Sequence, residues 1–412
     1  MLKKFGKNIL IYGITNAFKA LVPFLMLPIL TKYLNAEEYG ILSLIEVSIL
    51  FLTPFISLNI NSAINVEYFK MNKKELRNYI TNALELSVIS TIIFIFFIFI
   101  MNNSLTKFLH INNLLLLWLP IFAFLRVISS VVLGLYQVSN NAVDYAIYTI
   151  IQTVIDFVLS YLFVVIFKLG YIGRLEGVYI AFLFSSLYGV WILKKNNFLG
   201  QINFKYTKNI LKYGLPLIPH VLGGVILAMS DRYFISYFEG NKEVGYYTIA
   251  YQMAGLLLLA SLSINQAWVP NLYRFLTNYN YNKNKIKKIT FFLIVFYTVL
   301  AILLYVFSNT LFLLLVDNKF NIAKKYFGIL LIGFLFQSYY YLFTNFLFFY
   351  KKTFILAKIT FVNALLNIIL NYFLILKFGT IGVAYATAIT YIIYFVFVWY
   401  FSYKIRKEEV NK

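Results

Sequence analysis

An all-α integral membrane protein of about twelve spans, built as two copies of one six-helix unit, is the fold class that this amino-acid sequence predicts. Three observations carry the prediction. Hydrophobic residues make up 61% of the 412 and charged residues only 12%, and mean hydropathy is +0.79, far outside the soluble range. Apolar runs of roughly 20 residues, the length a helix needs to cross the hydrocarbon, recur along the whole chain. Lys7-Asn-Ile-Leu-Ile-Tyr-Gly13 returns as Lys208-Asn-Ile-Leu-Lys-Tyr-Gly214, identical at six of seven positions.

The first copy places spans near residues 9–31, 40–64, 80–101, 114–138, 143–168 and 175–193, and the second near 210–235, 245–269, 289–316, 326–349, 354–376 and 381–403. No alternation of apolar and polar residues at ten-residue spacing occurs, so the spans are helices rather than barrel strands. Residues 1–205 form the N-terminal lobe in this reading and 206–412 the C-terminal lobe. Six spans per copy is an even number, so both copies insert the same way up, related by a pseudo-two-fold axis along the membrane normal. Each copy opens on a run interrupted by two prolines, Pro23 and Pro28, then Pro216 and Pro219, and closes that run on Glu38-Tyr-Gly40 and Glu243-Val-Gly245. Paired kinks at matching depth suit alternating access. The first apolar run is too long for a cleavable signal and continues into the polytopic pattern.

Orientation follows from the basic residues. With the N-terminus inside, 23 Lys and Arg fall in cytoplasmic loops and tails and 10 in outer loops, which puts both termini in the cytoplasm. The net charge of +21 is then topology signal and contact with anionic membrane lipids. Its scatter over separate short loops excludes nucleic acid as a partner. With no cysteine there is neither a disulfide nor a thiolate metal site, and two histidines, His110 in a loop and His220 in a span, are too few for a hydrolytic metal centre. No Gly-rich phosphate loop is present, so neither a cofactor nor ATP is expected. The longest polar segment runs only from Asn271 to Lys288, which leaves no room for a separate soluble domain.

The informative residues are polar groups placed where a helix centre should be lipid-like. Lys19, Arg126 and Asp156 sit near the middles of the first, fourth and fifth spans. Gln152, Asp156 and Ser160 recur every four residues and line one helix face, and the eleventh span repeats them as Asn363, Asn367 and Asn371 at a constant offset. The same register sets Arg126 opposite Gln337, and that of the opening motif sets Lys19 opposite His220. The polar positions coincide in the two copies, while the fixed charges belong to the first. The competing structural readings are interhelical hydrogen bonding for the amides and a mutual ion pair for Arg126 and Asp156. Glu46, about a turn and a half inside the outer surface, is a further candidate for proton or cation coupling. Glu85, Lys358 and the Asp231-Arg232 pair, near helix ends, are expected to snorkel or fix topology.

Asn-Ala-Glu-Glu-Tyr-Gly40, Tyr213-Gly-Leu-Pro-Leu-Ile-Pro219, Asp231 followed by Val244-Gly-Tyr-Tyr247, Trp268-Val-Pro270 and Gly379-Thr-Ile-Gly382 come in an order and spacing that resembles the Wzx-type polysaccharide-biosynthesis flippases. These are exporters of O-antigen and capsule repeat units within the multidrug/oligosaccharidyl-lipid/polysaccharide (MOP) superfamily, and the likeness covers the whole chain. It implies a MATE-like pair of six-helix lobes around a cationic cavity in the bacterial cytoplasmic membrane. It further implies transport of undecaprenyl-pyrophosphate-linked oligosaccharide, coupling to H+ or Na+, the polymerase of the same pathway as a partner, and no enzymatic reaction. The lipid II flippases of the superfamily usually carry extra C-terminal spans that this chain lacks. Arg126 and Lys19 would meet the pyrophosphate, His220, Gln337, Asn363, Asn367 and Gln152 the remainder of the substrate, and Asp156 and Glu46 the coupling ion. Two alternatives stay open. A multidrug or cation exporter would share the architecture but with an acidic or aromatic cavity. A membrane polymerase or glycosyltransferase would carry a large outer loop with catalytic residues, and the outer loops here are short.

Overall fold

The computed structural model describes residues 2–109, 111–277 and 279–410; His110 lies outside them. No strand occurs among the described residues, and twelve helical stretches are long and apolar enough to cross a membrane, as the hydropathy pattern predicts. Packing divides the chain into two compact units, residues 1–225 and 226–412.

The N-terminal unit contains α1 (Leu2–Tyr33), α2 (Ala36–Ser57), α3 (Ile60–Glu67), α4 (Lys73–Leu109), α5 (Asn113–Val138), α6 (Ala142–Tyr161), α7 (Gly170–Lys195) and α8 (Phe204–Gly214), and α9 (Ile218–Met229) begins in it. The Asn-Ala-Glu-Glu motif starts α2 with a reciprocal cap: Asn35 Oδ1 accepts from the Glu38 amide and Glu38 Oε2 accepts from the Asn35 amide, both at 2.9 Å. Such a cap stabilises a helix start by about 1 kcal/mol. The second span is not one helix. Leu58 and Asn59 adopt left-handed φ of 46° and 54°, so the chain turns four residues after Pro54 and restarts as α3.

Residues 199–203, between α7 and α8, are fastened to the start of α4. Arg77 donates from Nε and Nη2 to the Leu199 carbonyl at 3.1 and 2.9 Å, Thr81 Oγ1 accepts from the Gly200 amide, Asn78 Oδ1 from the Gln201 amide, and Asn82 Oδ1 from the Asn203 amide. The Gly200, Gln201 and Asn203 amides thereby find partners in place of water. Tyr79 donates to Asn209 at 3.0 Å, and Gly214 lies so close to the Leu58 carbonyl that any side chain would overlap it. The seventh span therefore begins within the N-terminal unit. It is broken by a 3-10 turn at Leu215–Leu217, where Pro216 and Pro219 withdraw two amide donors.

The C-terminal unit comprises α10 (Asp231–Glu239), α11 (Asn241–Leu276), α12 (Tyr279–Val306), α13 (Ser308–Leu315), α14 (Lys324–Phe349), α15 (Thr353–Phe378) and α16 (Thr380–Val410). The polar segment expected as a loop at 271–288 is helical to either side of residue 278. Trp268, Leu272, Tyr297, Leu342, Phe346 and Val398 form the core among α11, α12, α14 and α16. In lipid, close packing rather than water exclusion holds such helices together, and Gly333 lets α14 approach the α16 backbone at Ala388. Gly170 and Gly379, before the sixth and twelfth spans, share a φ of +62°. A Cβ at Gly170 would meet the Glu38 carboxylate and one at Gly379 that of Glu239.

Candidate functional site

The N-terminal unit gathers five charges. Glu46 on α2 faces Arg126 on the adjacent α5, and the two form a bidentate pair, Nη1 to Oε1 and Nη2 to Oε2, both 2.7 Å. The Arg126 Cζ lies 5.0 Å from the centre of the Phe182 ring on α7, and its Nε is buried without a partner. Asp156 on α6 takes Arg174, from the first turns of the neighbouring α7, and accepts from Ser160 Oγ at 3.1 Å; Arg174 reaches Ser160 as well. Arg126 and Asp156 lie within electrostatic range, as do Glu46 and Arg174, and Lys19 and Arg126. Lys19 arrives there because α1 is tied to the α5–α6 region through Asn8, Tyr12 and Asn16, spaced four apart.

The mutual Arg126–Asp156 pair, one of the readings that depth left open, gives way to two separate pairs. Arg126 meets the closer carboxylate across the α2–α5 contact, while Asp156 is captured by Arg174, a residue that the sequence assigns to an outer loop. Exposure sets the two pairs apart from an ordinary buried bridge: the Glu46 side chain is 49% exposed. The Glu46 carboxylate is therefore not enclosed by protein on all sides. The bidentate guanidinium is also the geometry that grips phosphate oxygens.

Gln152 is buried one turn before Asp156, and its Nε2 has no partner. His220, on α9, is exposed. In the C-terminal unit Asn367 is held on three sides, by Ser230 (3.1 Å), Asn371 (3.1 Å) and Thr390 (3.4 Å). Asn363, a turn earlier on α15, is buried with both amide atoms unpartnered, and Gln337 Oε1 on α14 is likewise buried and unpartnered. Unpartnered buried amide groups cost about 1–3 kcal/mol each, the mark of a site built for a ligand or for water.

The sequence reading missed one cluster. Asp231 and Arg232, expected to snorkel, are buried, with side chains 4% and 3% exposed, and pair at 2.5 Å. The second oxygen of Asp231 accepts from the Tyr247 hydroxyl at 2.6 Å, and Tyr247 lies 3.1 Å from Thr387 Oγ1. The Arg232 guanidinium stacks 3.9 Å from the Tyr251 ring centre and donates to the Ala228 carbonyl. The signal was present as Tyr247 and Tyr251, one helical turn apart on α11; their partner could not be read from spacing.

Among the described residues no group of three or more His, Cys, Asp or Glu side chains converges as a metal site. Helical spans with charges gathered among them define a class, the polytopic helical membrane proteins. The fold matches an inward-facing multidrug resistance MATE family transporter with TM-score 0.78 over 95% of each chain at 14% identity. It matches the lipid II flippase MurJ, in its inward closed conformation, with TM-score 0.78 over 95% of this chain and 87% of that one at 17% identity. Among sequence relatives, Lsg locus protein 1 of Haemophilus influenzae is 22% identical over 89% of this chain and 90% of its own length. The Haloferax volcanii protein named "Probable low-salt glycan biosynthesis flippase Agl15" is 26% identical over 51% of this chain and 46% of its own. Residues 5–276 match the family described as polysaccharide biosynthesis protein, and residues 216–373 match the MatE family. The chain belongs to the polysaccharide biosynthesis protein family.

Proposed function

We propose that this protein is a flippase that carries an undecaprenyl-pyrophosphate-linked oligosaccharide across the bacterial cytoplasmic membrane by alternating access, with both termini in the cytoplasm. The observation that carries the reading is the Arg126 guanidinium, held by a half-exposed carboxylate with Lys19 close by. Family membership and the glycan-flippase name of one relative support it. A pyrophosphate leaving the headgroup region needs fixed cations: Arg126 grips its oxygens bidentately and Lys19 adds a point charge. Asn363, Gln337 and Gln152 supply hydrogen bonds to sugar hydroxyls, His220 faces the substrate path, and Asn367 braces its neighbours.

Coupling follows from competition. When the pyrophosphate takes Arg126, Glu46 loses its partner and is free to receive the coupling ion, which links lipid binding to the ion gradient. Asp156, paired with Arg174, is the second candidate to receive the coupling ion. The chemistry is binding and release, with no bond made or broken in the substrate. Replacing Arg126→Ala should abolish surface polysaccharide while the protein still inserts, and Arg126→Lys should retain part of the export. Normal export by Arg126→Ala would refute the assignment. A multidrug exporter is the second reading, favoured by the MatE match over 216–373; it predicts drug resistance that survives loss of Arg126 and Lys19.

A further inference from the structure

Apart from the charge cluster, the N-terminal unit carries an open cavity of about 860 Å³, a size typical of small-ligand sites. Three chain connections wall it: the end of α3 to the start of α4, the α5–α6 turn, and the end of α7. Its floor is apolar and buried, with Val132, Leu135 and Leu193. The rim carries two cations, Lys73 and Arg77, the Asp144 carboxylate, the Asn197 amide, and the rings of Tyr68 and Tyr136.

The walls are set before any ligand arrives. Asn72 and Glu75 cap the start of α4 reciprocally at 3.0 and 3.2 Å, and Asn141 Nδ2 donates to Asp144 at 2.5 Å. Asn140 and Asn197 turn the chain in left-handed conformations with φ of 55° and 56°. Arg77 is held by the Leu199 carbonyl through Nε and Nη2, which leaves Nη1 uncommitted. Lys73 is exposed and has no hydrogen-bond or ion-pair partner among the described residues.

Cations alone would suit any phosphate, but a bare phosphate is repelled by Asp144 and gains nothing from the apolar floor. A sugar uses both, because its hydroxyls donate to carboxylate and amide oxygens and its C–H faces pack on aromatic rings. We propose that this cavity is a second ligand site, which takes a glycosyl phosphate, with the phosphate at Lys73 and Arg77 and the sugar between Tyr136 and Asp144. The proposal rests on the glycan-transport reading and extends it: on the face that the charge asymmetry assigns to the cytoplasm, a sugar phosphate is bound before Arg126 is reached.

Titration calorimetry of the full chain in detergent, with glucose 1-phosphate, galactose 1-phosphate and N-acetylglucosamine 1-phosphate, tests this. At least one should bind saturably, with inorganic phosphate and the free sugar weaker by about tenfold or more. Lys73→Ala, at an exposed position, should weaken binding at least as much, as should Leu135→Trp, which fills the floor. Arg126→Ala should leave binding intact, which separates this site from the transport site. The same glycosyl phosphate on a short polyprenol distinguishes the source: tighter binding than the soluble form assigns a lipid-borne ligand, and equal binding a soluble one. Absence of saturable binding by all three, equal affinity for inorganic phosphate, or loss in Arg126→Ala with retention in Lys73→Ala would overturn the proposal.

Discussion

Each unit holds a guanidinium beside a carboxylate, and the two arrangements differ in how firmly they are closed. In the N-terminal unit Arg126 meets a Glu46 side chain that is 49% exposed, on another helix eighty positions away. In the C-terminal unit Arg232 meets the adjacent Asp231, both about 97% buried, under Tyr251 and with Tyr247 donating to Asp231 and lying beside Thr387. The first pair is partly open, because protein does not enclose the Glu46 carboxylate. The second is committed, because removing one partner strands a charge where nothing else can compensate. The motif register points the same way: aligned on Glu38 and Glu243, Glu46 falls opposite Tyr251. At the position where one unit presents a partly open carboxylate, the other presents an aromatic ring.

The comparison breaks or sharpens on three substitutions. The largest effect on stability is expected from Asp231→Ala, which should lower the unfolding free energy by about 3–5 kcal/mol, read as a thermal shift in detergent. Much of that loss should return in the double variant Asp231→Ala with Arg232→Met, since the stranded charge is removed; a wild-type melting curve for Asp231→Ala alone would show that the C-terminal pair is not committed. Asp156→Asn comes next. Arg174 keeps its Ser160 contact and both side chains are partly exposed, at 17% and 21%, so the cost should be about 1 kcal/mol. Transport in vesicles should then lose part of its response to imposed pH or Na+ gradients; an unchanged response would reduce Asp156 to a helix fastener. Glu46→Gln should perturb stability least, by under about 1 kcal/mol, yet uncouple transport from the gradient most, because it removes the carboxylate that substrate displaces. A stability loss as large as that of Asp231→Ala would erase the distinction between the units.

Span number and helix class were legible because both depend on length and hydropathy alone, and the twelve stretches of the structure follow the apolar runs. The breaks were less legible. Pro54 was visible, but the restart at Leu58 and Asn59 depends on the docking of α8, 155 positions away, whose Gly214 carbonyl accepts from Asn59 Nδ2 at 3.2 Å. Depth in the membrane identified Arg126, Asp156 and Glu46 as unusual and could not say which would meet. That choice is made by helix rotation and by the reach of Arg174, neither of which is encoded in local spacing. Asp231 and Arg232 were misjudged for the opposite reason: lying near a helix end suggested exposure, while α11 and α16 cover them with Tyr247 and Thr387.

The packing of α8 against α3 and α4 bears on where the repeat and the packing units divide. The repeated motif marks where a second copy of the unit begins, but the packing seam lies farther along, after Val225. Gly13 in the first copy has open space around it, whereas its counterpart Gly214 is pressed against the Leu58 carbonyl. The same motif residue therefore has a steric role in one copy only. The opening turns of the second copy pack within the N-terminal unit, so a fragment ended at residue 205 would keep residues 199–203 on α4 and lose the Asn209 contact with Tyr79 and the Gly214 contact with Leu58.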